Sequence, residues 1–399
     1  MKDQVRIWKS LGFHLKLFAN LADDIGEMFS LDLSRDVQTV VSRTIDEGYE
    51  FLCGSLSSFG KNILLSLENG HYVNHPSFKR ARRNSPLPAF LQGLVSVIFD
   101  KRTGCLTDDP KIPDALAAIQ QLTRLFSKLD LPYSTKKNDS MVEKFVESNR
   151  KIGDFVWELS DEWILKVVDN MKVVLSEVLS DFDGLEIQPR HGPGAVYERQ
   201  RLYGKYNFEY DPDVNDTYPY WLYFSLIDWD GSQHHYLPIM WAEGEGGSSC
   251  QPVAATVAAE RLTRICLVPK DYRGPRIIGA EPCRGQFLQQ GLGRRLMDHL
   301  ESHPTTSGFV NFKDQGVNAN LALTSSASQE YSTVDLSSAS DLISWTEHVK
   351  LLFPRHVSAC LSAVRTNRAM LPSGEVIDLH MHAGMGSAVC FPVESLLFF

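Results

Sequence analysis

Tyr331-Ser-Thr-Val-Asp-Leu-Ser-Ser-Ala-Ser-Asp341 is the stretch on which the reading of this chain turns. Tyr331 to Leu336 is a short β-type run, and Ser337 onward supplies cap-forming serines ahead of a helical pattern that stops at Pro354. Alternation along such a strand sets Asp335 on one face with Tyr331 and Thr333, and leaves Val334 and Leu336 to be buried on the other. Asp335 is therefore expected at the carboxyl end of a strand, open to a cleft. Asp341 follows after the chain turns into the helix and faces the same cleft from another height. The same residues also suit a strand-end cap and a first-turn helix acid favoured by the helix dipole. The flanking segments decide between the two.

Upstream, Arg261-Leu-Thr-Arg-Ile-Cys-Leu-Val-Pro-Lys-Asp-Tyr-Arg-Gly-Pro-Arg276 gathers five cations against one acid. Asp271-Tyr-Arg-Gly-Pro275 reads as the turn of a hairpin with strands Ile265 to Pro269 and Arg276 to Ala280. Lys270, Arg273 and Arg276 then crowd one end, where Arg forks and a compact Lys charge suit a triphosphate. Downstream, Arg368 to Leu379 reads as a second hairpin turning at Pro372-Ser-Gly374. Gly384-Met-Gly-Ser387 then leads into an apolar helix over Ala388 to Phe399. Gly386 lets a backbone approach a substrate closely, and Ser387 with the helix N–H groups can bond a sugar or base. The end, Glu394-Ser-Leu-Leu-Phe-Phe399, has no C-cap glycine, terminal cations or polar tail, and reads as a truncation.

Composition sets the limits. A chain of 399 residues, 43% hydrophobic, buries a large core, and its formal charge of −9 restricts any RNA contact to a local patch. The 7 cysteines are odd in number and scattered, with no Cys-x-x-Cys pair, which favours a reducing cytosol. The start, Met1 to Asn20, lacks a signal peptide's unbroken apolar region, and no segment reaches the roughly 18 apolar residues of a membrane span. Val5 to Leu179 is mostly helical in pattern, and an aromatic, strand-like region such as Tyr218 to Ile227 follows a boundary near Asp183. The basic, proline-punctuated Phe78 to Pro88 reads as a surface loop, with RNA contact the alternative. Asp211 to Asp216 starts like a calcium loop but lacks its glycine and its glutamate. Gly244-Glu-Gly-Gly247 lacks a following Gly-Lys-Ser/Thr, and the adjacent His234 and His235 would face opposite ways on a strand.

Taken in order, Val268-Pro-Lys270 to Ile278-Gly-Ala-Glu-Pro282, Thr333 to Asp341, and Met385-Gly-Ser-Ala-Val-Cys-Phe-Pro-Val-Glu-Ser395 resemble the leviviral replicases, the RNA polymerase subunits of single-stranded RNA phages. His191-Gly-Pro-Gly194 resembles a further segment of that family. The resemblance implies an α+β, right-hand template-dependent polymerase, here fingers plus partial palm with no thumb. The chain then divides into a helical, fingers-associated region over 1–183, fingers with the motif F hairpin over 184–330, and a partial palm with motifs A and B over 331–399. Asp335 would be the catalytic carboxylate and bind both Mg2+ ions, and Asp341 would select the ribose 2′-hydroxyl. Lys270, Arg273 and Arg276 would hold the triphosphate, with Gly386 and Ser387 at the base and ribose. The resemblance further implies template RNA and nucleoside triphosphates as substrates, and host elongation factors Tu and Ts and a ribosomal RNA-binding protein as partners, in the host bacterial cytoplasm.

Two departures stand out. Some relatives have Gly-Asn-Gly where this chain has Gly386-Ser-Ala388, and the family's Gly-Asp-Asp turn, motif C, is absent. Two-metal catalysis draws carboxylates from both motifs, so these 399 residues alone are expected to be inactive. The competing readings are a noncatalytic RNA-binding or structural viral protein, in which Asp335 and Asp341 are only caps, and a reverse transcriptase, which Asp341 disfavours.

Overall fold

The computed structural model describes residues 2–129, 131–200, 202–206, 208, 211–227, 233–235, 240–242, 251–253, 261–314 and 316–399. It is a mixed helix and sheet protein, and it divides into two compact units, Met1–Asn138 with Pro269–Pro275, and Asp139–Val268 with Arg276–Phe399.

The first unit is helical. It contains α1 (Lys2–Phe29), α2 (Ser34–Glu47), a π-helical turn (Glu50–Ser55), α3 (Leu56–Glu68), α4 (Gln92–Ile98) and α5 (Ile112–Arg124). In α5, Ala115, Ala118, Ile119 and Leu122 recur at three- and four-residue spacing and are buried, which is what the periodicity of this segment requires. Asp114 in its first turn and Arg124 in its last complement the helix dipole. The chain passes closely between α3 and α5, because a Cβ on Gly60 would lie 2.3 Å from Thr123 Oγ1. The turn Pro269–Pro275 packs within this unit. There Tyr133 donates its hydroxyl to Asp271 O at 2.9 Å and accepts the Lys270 N–H at 3.0 Å. Lys137 Nζ reaches Tyr272 O at 3.0 Å and Glu50 at 2.6 Å.

The second unit takes most of α6 (Thr135–Asp154), then α7 (Glu162–Val178), whose first N–H groups, on Trp163 and Ile164, donate to the Asp161 carboxylate. Tyr218 to Ile227 departs from the expected strand. The short helices α8 (Pro212–Asn215) and α9 (Tyr220–Tyr223) precede a strand of three residues, β1 (Ser225–Ile227). Burial outweighs β propensity here: Tyr218 and Tyr223 sink into the core and donate their hydroxyls to the carbonyls of Gly184 and Leu185. β1 pairs antiparallel with β2 (Gln233–His235), and β3 (Met240–Ala242) pairs antiparallel with β4 (Gln251–Val253). Gly244 to Gly247 lies outside the described residues.

The remaining elements are β5 (Leu262–Asp271), β6 (Gly274–Ala280), α10 (Cys283–Ser302), α11 (Gly316–Ser328), α12 (Arg355–Val364), β7 (Arg368–Met370), β8 (Val376–Asp378) and α13 (Cys390–Phe398). Both hairpins read from the sequence are present. They join in one sheet of order β6-β5-β7-β8, in which β5 and β7 run parallel, with Thr263 opposite Ala369. Phe145 and Ile152 of α6 pack on this sheet against Ile265, Ala369, Leu371 and Met381. Asn149, buried between them, bonds Asp378 O and the His380 N–H.

A second expected strand is absent. Residues 331–336 form no strand; they are irregular and exposed, with Val334 at 77% and Leu336 at 53% exposure. A strand is stable only when a neighbour satisfies its N–H and C=O groups, and no strand pairs with this segment among the described residues.

Candidate functional site

The cations of the β5–β6 hairpin have unequal duties. Arg261 is bound to the buried Asp211 carboxylate at 2.8 Å, which Arg284 also engages at 2.9 Å. Arg264 donates to the carbonyls of Tyr197 and Val196. Both are thereby committed to holding the fold. Arg273 is exposed but folded back on Asp271, with Nη2 2.6 Å from Oδ2, and this pairing holds the Asp271 carboxyl below its ordinary range. Lys270 and Arg276 are exposed, and their side chains make no hydrogen bond or ion pair among the described residues.

Beyond the hairpin, β6 supports the glycine loop. The Gly279 N–H donates to Met385 O at 2.7 Å, which fastens residues 384–387 to the strand edge. Gly386 has φ +118°, and a Cβ there would lie 2.1 Å from Gly279 O. Only glycine meets both demands. The neighbouring Ser387 is buried, and its hydroxyl has no partner among the described residues. From the other side, Gly293 of α10 lets the helix approach Ala388, since a Cβ there would sit 2.5 Å from Ala388 O.

Asp341 lies in a 3-10 turn, Ser340–Leu342, which contacts α13. Burial raises its carboxyl above the ordinary value, with the Ser340 hydroxyl opposing. Glu394 of α13 is raised as well, by burial and then by the charge of Asp341. Asp341 shares a small pocket with Thr263, Gly279, Glu281, Gly384 and Met385. Thus the structure brings Asp341 and the Gly386–Ser387 loop to one place. It does not bring Asp335 there: that residue lies on the exposed segment described above.

A buried polar network lies behind the pocket. Glu281, the residue after β6, is 5% exposed and accepts from Thr366 Oγ1 at 2.5 Å and Gln289 Nε2 at 3.3 Å. Arg365 donates to Leu379 O, Met381 O and His382 O, at 2.5, 2.8 and 3.1 Å, and so braces the segment that runs from β8 into the glycine loop. Burial pushes Glu281 up and lowers Arg365 to about 10, so desolvation outweighs their mutual attraction at both ends. Sequence reasoning passed over Glu281, Arg365 and Glu394 as site residues. Glu281 and Glu394 do stand inside the two stretches quoted above for the family resemblance, which was the available signal.

Chemically, the pocket offers the half-buried Asp341 carboxylate, which can accept from a hydroxyl, and the side-chain-free backbone of Gly279 and Gly384, while the Ser387 hydroxyl is buried in the adjoining loop. Among the described residues no three His, Cys, Asp or Glu side chains gather to hold an ion. The upstream His191-Gly-Pro-Gly194 turn is clasped by the buried Lys205, which donates to Gly192 O at 3.0 Å and Gly194 O at 2.6 Å.

Residues 240–399 match the family described as RNA replicase, beta-chain. Over 131 residues, 33% of this chain, it is 37% identical to the RNA-directed RNA polymerase subunit beta of Qbeta virus (strain MX1) and covers 21% of that protein. Over the same length it is 35% identical to the subunit beta of Enterobacteria phage SP, covering 22%, and 31% identical to the beta chain of Escherichia phage MS2, covering 23%. The chain therefore spans about a fifth of the length of these curated relatives.

Proposed function

We propose, from the premise that over residues 240–399 this chain is a relative of the leviviral RNA replicases, that it forms the fingers and partial palm of an RNA-directed RNA polymerase. The observation that carries this reading is the glycine loop pinned on β6 beside Asp341. In it Asp341 accepts from the ribose 2′-hydroxyl of the incoming nucleotide, while Gly386 and Ser387 line the base and ribose. Lys270 and Arg276 take the triphosphate, and Arg273 joins them by exchanging Asp271 for a phosphate oxygen. Asp335 is the ligand this chain would contribute to a two-Mg2+ site, whose ions would supply the charge neutralisation for nucleotidyl transfer. On this reading the second carboxylate set is not supplied by these 399 residues, which do not incorporate nucleotides alone.

The test is RNA-templated incorporation by the complete polymerase carrying this sequence, in magnesium, with ribo- and deoxynucleotides compared. Asp341→Asn should relax the preference for ribonucleotides, and an unchanged ratio would remove the sugar role. Template-independent RNA binding with no incorporation would instead favour the noncatalytic RNA-binding reading. The host elongation factors Tu and Ts and the ribosomal RNA-binding protein belong to the same proposal and would be sought by co-purification from the host cytoplasm. No described helix is long and apolar enough to cross a membrane.

A further inference from the structure

A cationic surface that takes no part in the site above lies in the first unit. From Asn69 to Phe99 there is no Asp or Glu, and Lys79, Arg80, Arg82 and Arg83 stand together in a chain whose formal charge is −9. All four are exposed. Arg80 Nε donates to Asn74 Oδ1 at 2.9 Å, and the side chains of Lys79, Arg82 and Arg83 have no hydrogen bond or ion pair among the described residues.

This loop is a built element. Arg80 and Pro88 form an antiparallel bridge, flanked by Ala81 N–H to Leu87 O at 3.0 Å and Ala89 N–H to Lys79 O at 2.9 Å. The tip closes with Ser85 N–H to Arg82 O at 3.0 Å. Its root is aromatic: Phe78 stacks on Phe90 at 4.8 Å and meets Phe59 at 4.7 Å, and Leu87 is fully buried. A second turn lies against it, since a Cβ on Gly104 would come 2.9 Å from Pro86 Cβ, and that turn presents the exposed Lys101 and Arg102. The acid at its start, Asp100, already accepts from the N–H groups of Arg102 and Thr103 and from the Thr103 hydroxyl.

We propose that the Lys79–Arg83 finger, with Lys101 and Arg102, is a backbone-binding site for single-stranded RNA, separate from the residues assigned to nucleotide addition. Arginine forks match phosphate oxygens two at a time, and clustered unneutralised cations release counterions when a phosphodiester strand binds. The aromatic rings of the finger are buried at its root and cannot stack on bases, so the contact is independent of sequence. Surface-bound amphipathic elements need exposed apolar residues beside their cations, and residues 79–84 offer none, which argues against a lipid surface. The inference rests on the chain handling RNA, and it is tested without asking for nucleotide incorporation.

The full 399-residue chain is titrated with a fluorescein-labelled single-stranded RNA 20-mer, by anisotropy, between 50 and 200 mM salt. The triple variant Arg80→Gln, Arg82→Gln, Arg83→Gln should lower the slope of log affinity against log salt by about 2, or about 15-fold less affinity lost across that range. The single Arg83→Gln should lower it by about 0.7 and guards against misfolding of the triple. A charge-matched triple in the same chain, Arg124→Gln, Lys128→Gln, Lys166→Gln, should leave the slope nearly as it was. An unchanged slope in the finger variants, an equal loss in the charge-matched control, or equal displacement of RNA by poly-glutamate at the same charge concentration would each overturn the proposal. Loss of incorporation in the complete polymerase, with RNA binding intact, would bear on the polymerase reading alone.

Discussion

Replacing Gly386 by alanine should loosen the glycine loop by a calculable amount. The new Cβ would start 2.1 Å from Gly279 O and 3.0 Å from Ile278 Cγ2. Ordinary contact requires about 3.4 Å, so the loop must retreat by roughly an ångström or more, which is enough to strain or break the bond from Gly279 N–H to Met385 O. The losses are about 1–3 kcal/mol for a side chain at this φ, and about 1–3 kcal/mol for overpacking or, if the loop moves, about 1 kcal/mol for the hydrogen bond. A net destabilisation of about 2–4 kcal/mol follows. Gly384→Ala is the internal control, because its φ is not positive and nothing lies within 4 Å of its added methyl group. Urea unfolding of the 399-residue chain, followed by far-ultraviolet dichroism and by tryptophan fluorescence, should give a clearly lower midpoint for Gly386→Ala and a nearly unchanged one for Gly384→Ala. Equal midpoints would refute the claim that the loop is fixed by its approach to β6.

Glu281 is buried with its carboxyl raised above the ordinary 4.5, so it favours the folded state when protonated and loses that contribution as pH rises through the raised folded value. Glu281→Gln should therefore flatten the fall in stability from about pH 4.5 upward, seen as urea midpoints across pH, and a slope as steep as the parent's would contradict this. Asp335→Ala should alter the stability of this chain by less than about 0.5 kcal/mol, because the residue is exposed and its side chain has no partner among the described residues, yet abolish RNA-templated incorporation in the complete polymerase; retained incorporation would remove its metal role. Arg276→Gln and Lys270→Gln should each weaken nucleoside triphosphate binding, measured by equilibrium dialysis, more than Arg273→Gln does, since Arg273 must first leave Asp271. The opposite order would show that the Asp271 pair is no impediment.

Local chemistry was the legible part of this molecule. The Pro372-Ser-Gly374 turn closes its hairpin with Gly374 at φ +90°, and the Asp271–Pro275 turn does the same between β5 and β6. The helix after Ser387 also falls where its apolar run predicts, at Cys390–Phe398. Pairings between distant segments were not legible. Nothing in Leu262 to Arg264 announces a parallel partner in Arg368 to Met370, and so the burial of Glu281 against Thr366 could not be foreseen. The segment at 331–336 fails for the converse reason. Its residues favour a strand, but propensity alone gives its backbone groups no partner. Of the candidate residues, Asp341, Gly386 and Ser387 were singled out from type and order and lie near one another in the fold, whereas the duties of Arg261, Arg264 and Arg273 emerged only with their acceptors and carboxylates in place.

The parallel joining of β5 to β7 also sets a timetable for the newborn chain. Its partners are about a hundred residues apart, so at about 5–20 residues per second the ribosome needs roughly 5–20 s after making the first strand to deliver the second. During that interval Glu281 has neither Thr366 nor Arg365, and the edge of β5 is open to other chains. Chaperone demand and proteolytic loss during synthesis should therefore peak between emergence of the β5–β6 hairpin and emergence of β7.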